Sequence, residues 1–412
     1  MRGRNTCGKE VIRLDEATKQ VTKEYTGESR FRPIFLLIIA LVLVIGGVAV
    51  GLWVKRKNDR RTYAAYDVIK SKQLPFTTVN GTLPIRGGVM RYARDGAEAV
   101  DQDGESLWNV SYNMANPVAD TCGKYAAVGD AGYVTLYIMD GTGAFSSVTT
   151  DHPIVRVAVA ANGETAVLMD DGTKDYIAIY HADGKRVVDM NTLTTVSGFP
   201  LDLAISEDGT KLAVTFAYFE EDEIRSRITF YNFGGVGRSY IDGLVGKAES
   251  VKTGNPDNLY ADVEFVTNDR VAVFGDKSTL LYEMEEIPNL EAKEVTYNGT
   301  LRRFAFSGKY IGFFEERRDS GRITYAVVLY DTDGRQVETR QSENFYSGFR
   351  IDGGDVLLYS DSSLYIFRIK GKDKYKSSVS RAVTYCFATD QDNSFSMISD
   401  NLFNRIRLIG EQ

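Results

Sequence analysis

Two patterns of apolar residues divide the chain. From Ile34 to Val54 runs IFLLIIALVLVIGGVAVGLWV, 21 residues without a charge. A helix of that length rises about 30 Å, the thickness of a hydrocarbon core. The run is too long for the core of a cleaved signal peptide, and a charged stretch of 33 residues precedes it. Trp53 closes it where an indole favours the headgroup layer. This pattern predicts one membrane-spanning helix. Residues 55–75 are polar with helical character and predict a linker helix that leaves the bilayer and ends before Pro75. From residue 76 to 412 the pattern changes to short β-branched and aromatic runs between Gly, Asn and Asp turns, the mark of an all-β domain.

That domain repeats itself. One unit reads as apolar alternation, a tight turn and a second apolar run, often closed by Asp: VADTCGKYAAVGD from Val118, VAVAANGETAVLMDD from Val157, LAISEDGTKLAVTF from Leu203. VEFVTNDRVAVFGD, RFAFSGKYIGFFEE, FRIDGGDVLLYSD and TYCFATDQDNSFSMISD follow from Val263, Arg303, Phe349 and Thr384. The turns centre on Gly123, Gly163, Gly209, Asn268, Gly308, Gly353 and Asn393, spaced by 40, 46, 59, 40, 45 and 40 residues. A period of about 40 to 50 residues is that of a β-propeller blade of four strands. Asp-Gly pairs at 140–141, 183–184 and 333–334 mark a second hairpin per unit, which favours radial closure over a solenoid. Residues 81–112 offer about three further strands. They either complete the last blade, giving seven, or form a blade of their own, giving eight. Seven is favoured, because pairing the two ends removes an exposed sheet edge.

Charge separates the two parts further. Residues 1–61 hold 13 Lys and Arg against 6 Asp and Glu, whereas residues 62–412 hold 36 against 50. An acidic main domain argues against nucleic acid as its partner. The flanks of the span conflict with an outward-facing domain: Lys19, Lys23, Arg30 and Arg32 precede it, and Lys55, Arg56, Lys57, Arg60, Arg61, Lys70 and Lys72 follow it. The positive-inside rule places the richer side in the cytoplasm, although long domains are exported largely regardless of charge. Gly47 and Gly51 form a small-xxx-small pair on which two such helices can approach, giving a homodimer.

Candidate chemistry is sparse. The domain's two histidines, His152 and His181, read as loop residues, with no nucleophile elbow or metal-ligand spacing beside them. The Gly-Lys pairs lack the rest of a phosphate loop. Asp101-x-Asp103-Gly104 and Asp331-x-Asp333-Gly334 look like half of a calcium loop. They lack its first and last ligands, with Val110 and Arg340 at the distal position, and fit hairpin turns. Cys122 and Cys386 either pair or stay as small buried apolar groups, and Cys7 lies in the tail. YFEEDE, residues 218–223, reads as an acidic extended hairpin that explains the 59-residue spacing and offers a partner contact. The segment around Trp108 resembles one repeat of quinoprotein-type propellers, but a single copy carries the Trp, so no cofactor is expected. No catalytic, cofactor or metal residues are assigned.

SGFPLDLAISEDGTKLAVTF (residues 197–216), ITFYNFGGVG (228–237) and RYARDGAEAVDQDGESLWNVSYNMANP (91–117) resemble an uncharacterised group of single-pass membrane proteins from anaerobic Gram-positive bacteria. The likeness covers residues 34–412. It implies an anchored propeller-like domain of unknown function, external to the cytoplasm, with no catalytic residues to transfer. The expectation is therefore a basic tail (1–33), a transmembrane helix (34–54), a helical linker (55–75) and a propeller of seven or eight blades (76–412). The function expected is non-catalytic binding of a protein or cell-envelope partner. The alternative is a hydrolase or lyase that works through carboxylates in the central channel.

Overall fold

Each recurring turn joins the first two strands of a four-stranded unit. Gly123, Gly163, Gly209, Gly353 and Asn393 hold positive φ angles there, which glycine adopts without strain and asparagine tolerates. The computed structural model describes residues 31–58, 61–192, 198–250, 255, 257–319 and 321–411. The chain divides into two units, Met1–Arg61 and Thr62–Gln412.

In the first unit, α1 (Phe31–Asn58) is a helix of 28 residues. Its described side chains, at 37 and 39–51, are exposed. Among the described residues no helix is long and apolar enough to cross a membrane. The side chains at both ends of the expected span, 34–36 and 52–54, lie outside the described residues, as does the structure of the basic tail up to residue 30.

The second unit is all β. Six sheets have four strands and one has eight. The eight-stranded sheet is two four-stranded blades that meet through one parallel bridge, Tyr63 to Tyr375. The result is eight blades: 81–111, 117–149, 154–192, 199–249, 260–296, 300–342, 348–378, and 385–411 completed by β1 (Tyr63–Gln73). Eight apolar clusters fill the wedges, one between each pair of neighbours. The last of these joins Tyr385, Phe387, Ile398 and Phe403 of blade 8 to Val89 and Val100 of blade 1, with Leu74 between them, so the ring is closed.

Two expectations are corrected. The linker does not continue as a helix to Pro75: α1 ends at Asn58 and β1 begins at Tyr63. β1 runs antiparallel to Leu402–Glu411, with Tyr63 opposite Glu411 and Gln73 opposite Leu402. Its Tyr63 and Tyr66 pack on the wedge between blades 7 and 8. Pairing with a distant strand overrides the local polar pattern. The favoured count of seven is also replaced by eight. Because β1 supplies the closing strand, residues 81–111 are free to form a blade of their own, whose first turn at Gly87 carries φ +82.

Candidate functional site

The first strands of blades 1 to 7 line the central cavity, and strand alternation decides which of their side chains enter it. In the first strand of blade 5, Tyr260–Thr267, Asp262 and Glu264 lie two residues apart and share a face. Val263 between them is buried in the wedge against blade 4. Asp120 of blade 2, Arg156 of blade 3, Asp202 of blade 4 and Arg350 of blade 7 enter the same space, a cavity of about 600 Å³. Phe265, Phe304, Phe306 and Phe349 supply its apolar wall.

The carboxylates fall into two kinds. Asp120 Oδ2 accepts the Val159 N–H at 2.8 Å, and Asp202 Oδ2 accepts the Val263 N–H at 3.1 Å. Asp352 does the same further round, taking the Ala388 N–H at 3.0 Å. Each of these three ties one inner strand to the next and so has a structural duty. Asp262 and Glu264 do not. Asp262 Oδ1 is buried without a hydrogen-bond partner, and Glu264 makes no hydrogen bond among the described residues. Carboxylates in a channel wall without hydrogen-bond partners are costly to folding and make this a candidate functional site.

Burial raises all four acids. Asp120 is pushed up to about 6, against the opposing N–H bond from Val159. Asp202 is pushed up to about 7 by burial and then by the charge of Asp262, partly offset by Val263 and Arg156. Asp262 rises to about 6 through burial, opposed by Arg156. Glu264 stands well above the ordinary carboxylate range, first through burial and then through the charges of Asp120, Asp262 and Asp202. A group that keeps its proton near neutrality can serve as a general acid or donate a hydrogen bond to a ligand. Among the described residues no group of three or more His, Cys, Asp or Glu is arranged to hold a metal ion.

Residues singled out in the sequence lie elsewhere. His152 stacks on Tyr176 with ring centroids 3.7 Å apart, and His181 sits at an exposed turn with Nδ1 3.1 Å from Asp183. Asp101 turns its carboxylate onto its own loop, accepting N–H groups of Asp103 and Glu105 at 2.8 and 2.9 Å. Asp331 does likewise with Asp333 and Arg335. These are hairpin caps, as expected. Tyr218–Glu223 is the predicted extended hairpin, with Phe219 and Ile224 exposed at 69% and 55%. Blade 6 carries a matching one, Tyr310–Asp319 with Arg322–Asp331, which the sequence pattern did not single out.

Cys122, on the channel wall, and Cys386, in the wedge between blades 7 and 8, are both free. Burial and then the charge of Asp120 push the Cys122 thiol up to about 12. At pH near 8 it should therefore alkylate at least about a hundredfold more slowly than in the unfolded chain, because the thiolate is the nucleophile. Equal labelling rates in native and denatured protein would show that the wall is open there.

Asp120 and Glu264 lie within the recurring units, and Asp202 and Asp262 immediately before two of them, but the sequence pattern did not single them out. Each looks locally like an ordinary polar position of an alternating strand, so no local signal sets it apart.

Four-stranded blades closed around a central channel define a β-propeller. The chain belongs to the family of unknown function DUF5711, whose profile matches residues 59–408. No curated protein matches it in sequence. Among solved structures it is similar to Sqt1 of Chaetomium thermophilum, bound to the N-terminus of the ribosomal protein L10. That match has a TM-score of 0.54 and 13% identity, over 84% of this chain and 100% of that one. It is also similar to apo AztD of Citrobacter koseri, with a TM-score of 0.51 and 10% identity over 80% and 89% of the two chains. At such identities the likeness is one of fold.

Proposed function

We propose that the protein is a membrane-anchored, non-catalytic propeller that binds a protein or cell-envelope partner, with α1 as the anchor and the ring outside the cytoplasm. The observation that carries the reading is the closed ring with two projecting hairpins, on blades 4 and 6, whose exposed Phe219, Ile224 and Ile323 have no core to enter. Exposed large apolar side chains grouped on a rigid scaffold are the usual material of an interface. Sqt1 is a propeller seen with a protein N-terminus bound, which supports this use of the fold. The anchor rests on the uncharged run from Ile34 to Val54. Gly47 and Gly51, beside which an added Cβ would meet nothing within 4 Å, suit close approach of a second helix.

Photo-crosslinking from positions 219 and 323 in native membranes tests the binding role. A discrete adduct from either hairpin is expected, with none from a control at the exposed turn residue Asp361. Absence of adducts from both hairpins rejects a partner on that face. Orientation is read separately. With Cys7, Cys122 and Cys386 replaced, Asp361→Cys should react with a membrane-impermeant maleimide on intact cells; reaction only after lysis would put the ring in the cytoplasm and vindicate the flanking charges.

A second reading has one observation in its favour. Asp262 and Glu264 converge with raised proton affinity and no structural duty, which suits acid–base chemistry in a hydrolase or lyase. Under that reading Glu264→Gln abolishes the biological activity while hairpin crosslinks persist; under the binding reading the activity follows the crosslinks.

A further inference from the structure

Glu264 is surrounded by ionisable groups from several blades. Blade 2 contributes Asp120 and Cys122, blade 3 contributes Arg156, and blade 4 contributes Asp202 and Glu207. Asp262 stands two residues away on the same strand, and Arg350 enters from blade 7. Blades 1 and 6 add only apolar wall, through Leu83, Pro84, Phe304 and Phe306. Two arginines thus face five carboxylates. Arg156 is half exposed and lies 3.9 Å from Asp202, and Arg350 is engaged by the Tyr385 ring and hydroxyl. Neither makes an ion pair with Glu264.

We propose that the channel is a proton-operated switch: protonated, it holds the inner strands of blades 2 to 5 together, and deprotonated, it becomes an anionic bore that pushes them apart. The groups that would separate are those that bridge the ring. Asp120 links blades 2 and 3, Asp202 links blades 4 and 5, and Glu264 and Asp262 share the space between them. With Glu264 uncharged, Asp120 and Asp202 keep their backbone N–H partners at little electrostatic cost. Ionising it adds a charge within the field of three others, and it has no donor of its own. The four acids titrate as a set and not as independent sites.

The sign follows from linkage. The folded-state proton affinities exceed the unfolded value of about 4. The folded state therefore binds more protons, and the stability they contribute is complete below about pH 4. It is lost as the pH rises through 6 to 7, where Asp120, Asp202 and Asp262 titrate, and beyond, where Glu264 does. The switch concerns protonation alone, so it holds whether the channel binds or catalyses.

The test uses the full chain in detergent. Infrared spectra near pH 7 should show a protonated carboxylic-acid band that loses much of its intensity in Glu264→Gln and keeps it in Asp361→Asn. Melting temperature should fall by roughly 5 °C between about pH 5.5 and 8.5 in the wild type, and by less in Glu264→Gln. If the variant does not fold, amide exchange in the wild type decides, corrected for intrinsic rates: Val159 and Val263 must lose protection as the pH rises. A spectrum without a protonated acid at neutral pH, a melting temperature that does not fall with pH, or unchanged protection of both amides overturns the switch.

Discussion

A chain that starts at residue 76 will lose a third or more of its stability, although it lacks only one strand of the ring. β1 is the outer strand of blade 8 and pairs along Leu402–Glu411 from Tyr63 to Gln73. Removing it strips Tyr63 and Tyr66 from the wedge between blades 7 and 8 and takes Leu74, 2% exposed, from the wedge between blades 8 and 1. It also frees Glu105, which Lys70 and Lys72 hold at 2.8 and 2.5 Å; those pairs are exposed and worth little. A buried leucine contributes about 1.5–3 kcal/mol, and two half-buried tyrosines add a comparable amount. The loss is therefore roughly 5 kcal/mol, against about 5–15 kcal/mol for a typical domain. The chain from residue 62 should unfold in one cooperative transition, and the chain from residue 76 about 10 °C lower. The shorter chain should also self-associate, because Leu402–Glu411 becomes a bare edge of ten residues. Circular dichroism melts with light scattering measure both effects. Equal melting temperatures for the two chains would mean that the ring does not depend on its closing strand.

Glu98→Ala should be nearly as damaging from a single side chain. Arg91 and Glu98 are 1% and 2% exposed, with Nη1 2.9 Å from Oε1. Arg91 Nη2 also donates to the carbonyls of Phe76 at 2.7 Å and Asp400 at 3.3 Å, so one guanidinium fastens blade 1 to the second hairpin of blade 8. Burial pushes the Glu98 carboxyl up in spite of the Arg91 charge, which shows how costly the site is to ionise. Removing one member of such a pair strands the other and costs about 3–5 kcal/mol. Arg91→Met with Glu98→Leu removes both charges, leaving the Phe76 and Asp400 carbonyls short of a donor and the Phe76 N–H short of an acceptor, at about 1–3 kcal/mol each. In urea denaturation the double variant should therefore lie close to Glu98→Ala, although it lacks two charged groups and not one. A single variant within about 1 kcal/mol of wild type would mean that water reaches the pair.

Blades 2 to 8 were legible because each repeats the same local chemistry. A turn residue at Gly123 or Asn393 is read from its neighbours alone, and the Asp-Gly hairpins at 140–141 and 333–334 equally so. The ring count was not, since it turned on β1. Its apolar residues do not alternate, with Val68 and Ile69 both exposed, and its partner strand lies more than 300 residues away, so the sequence window around Tyr66 shows no strand period. The channel failed for the same reason in another form. Asp120 and Glu264 each look like an ordinary polar position in an alternating strand, and only closure of the ring brings them into one electrostatic group.

The register of β1 also fixes a timetable. Tyr63 is among the first residues of the domain to be made and its partner Glu411 among the last. At about 5–20 residues per second, some 340 residues of synthesis separate them, or roughly 20 to 70 s. During that interval blade 8 does not exist, and β1 waits with Tyr63 and Tyr66 uncovered. Long-range pairing of this kind is slow even when both strands are present. Among crowded nascent chains, the waiting strand is where one molecule would most readily take the finished end of another.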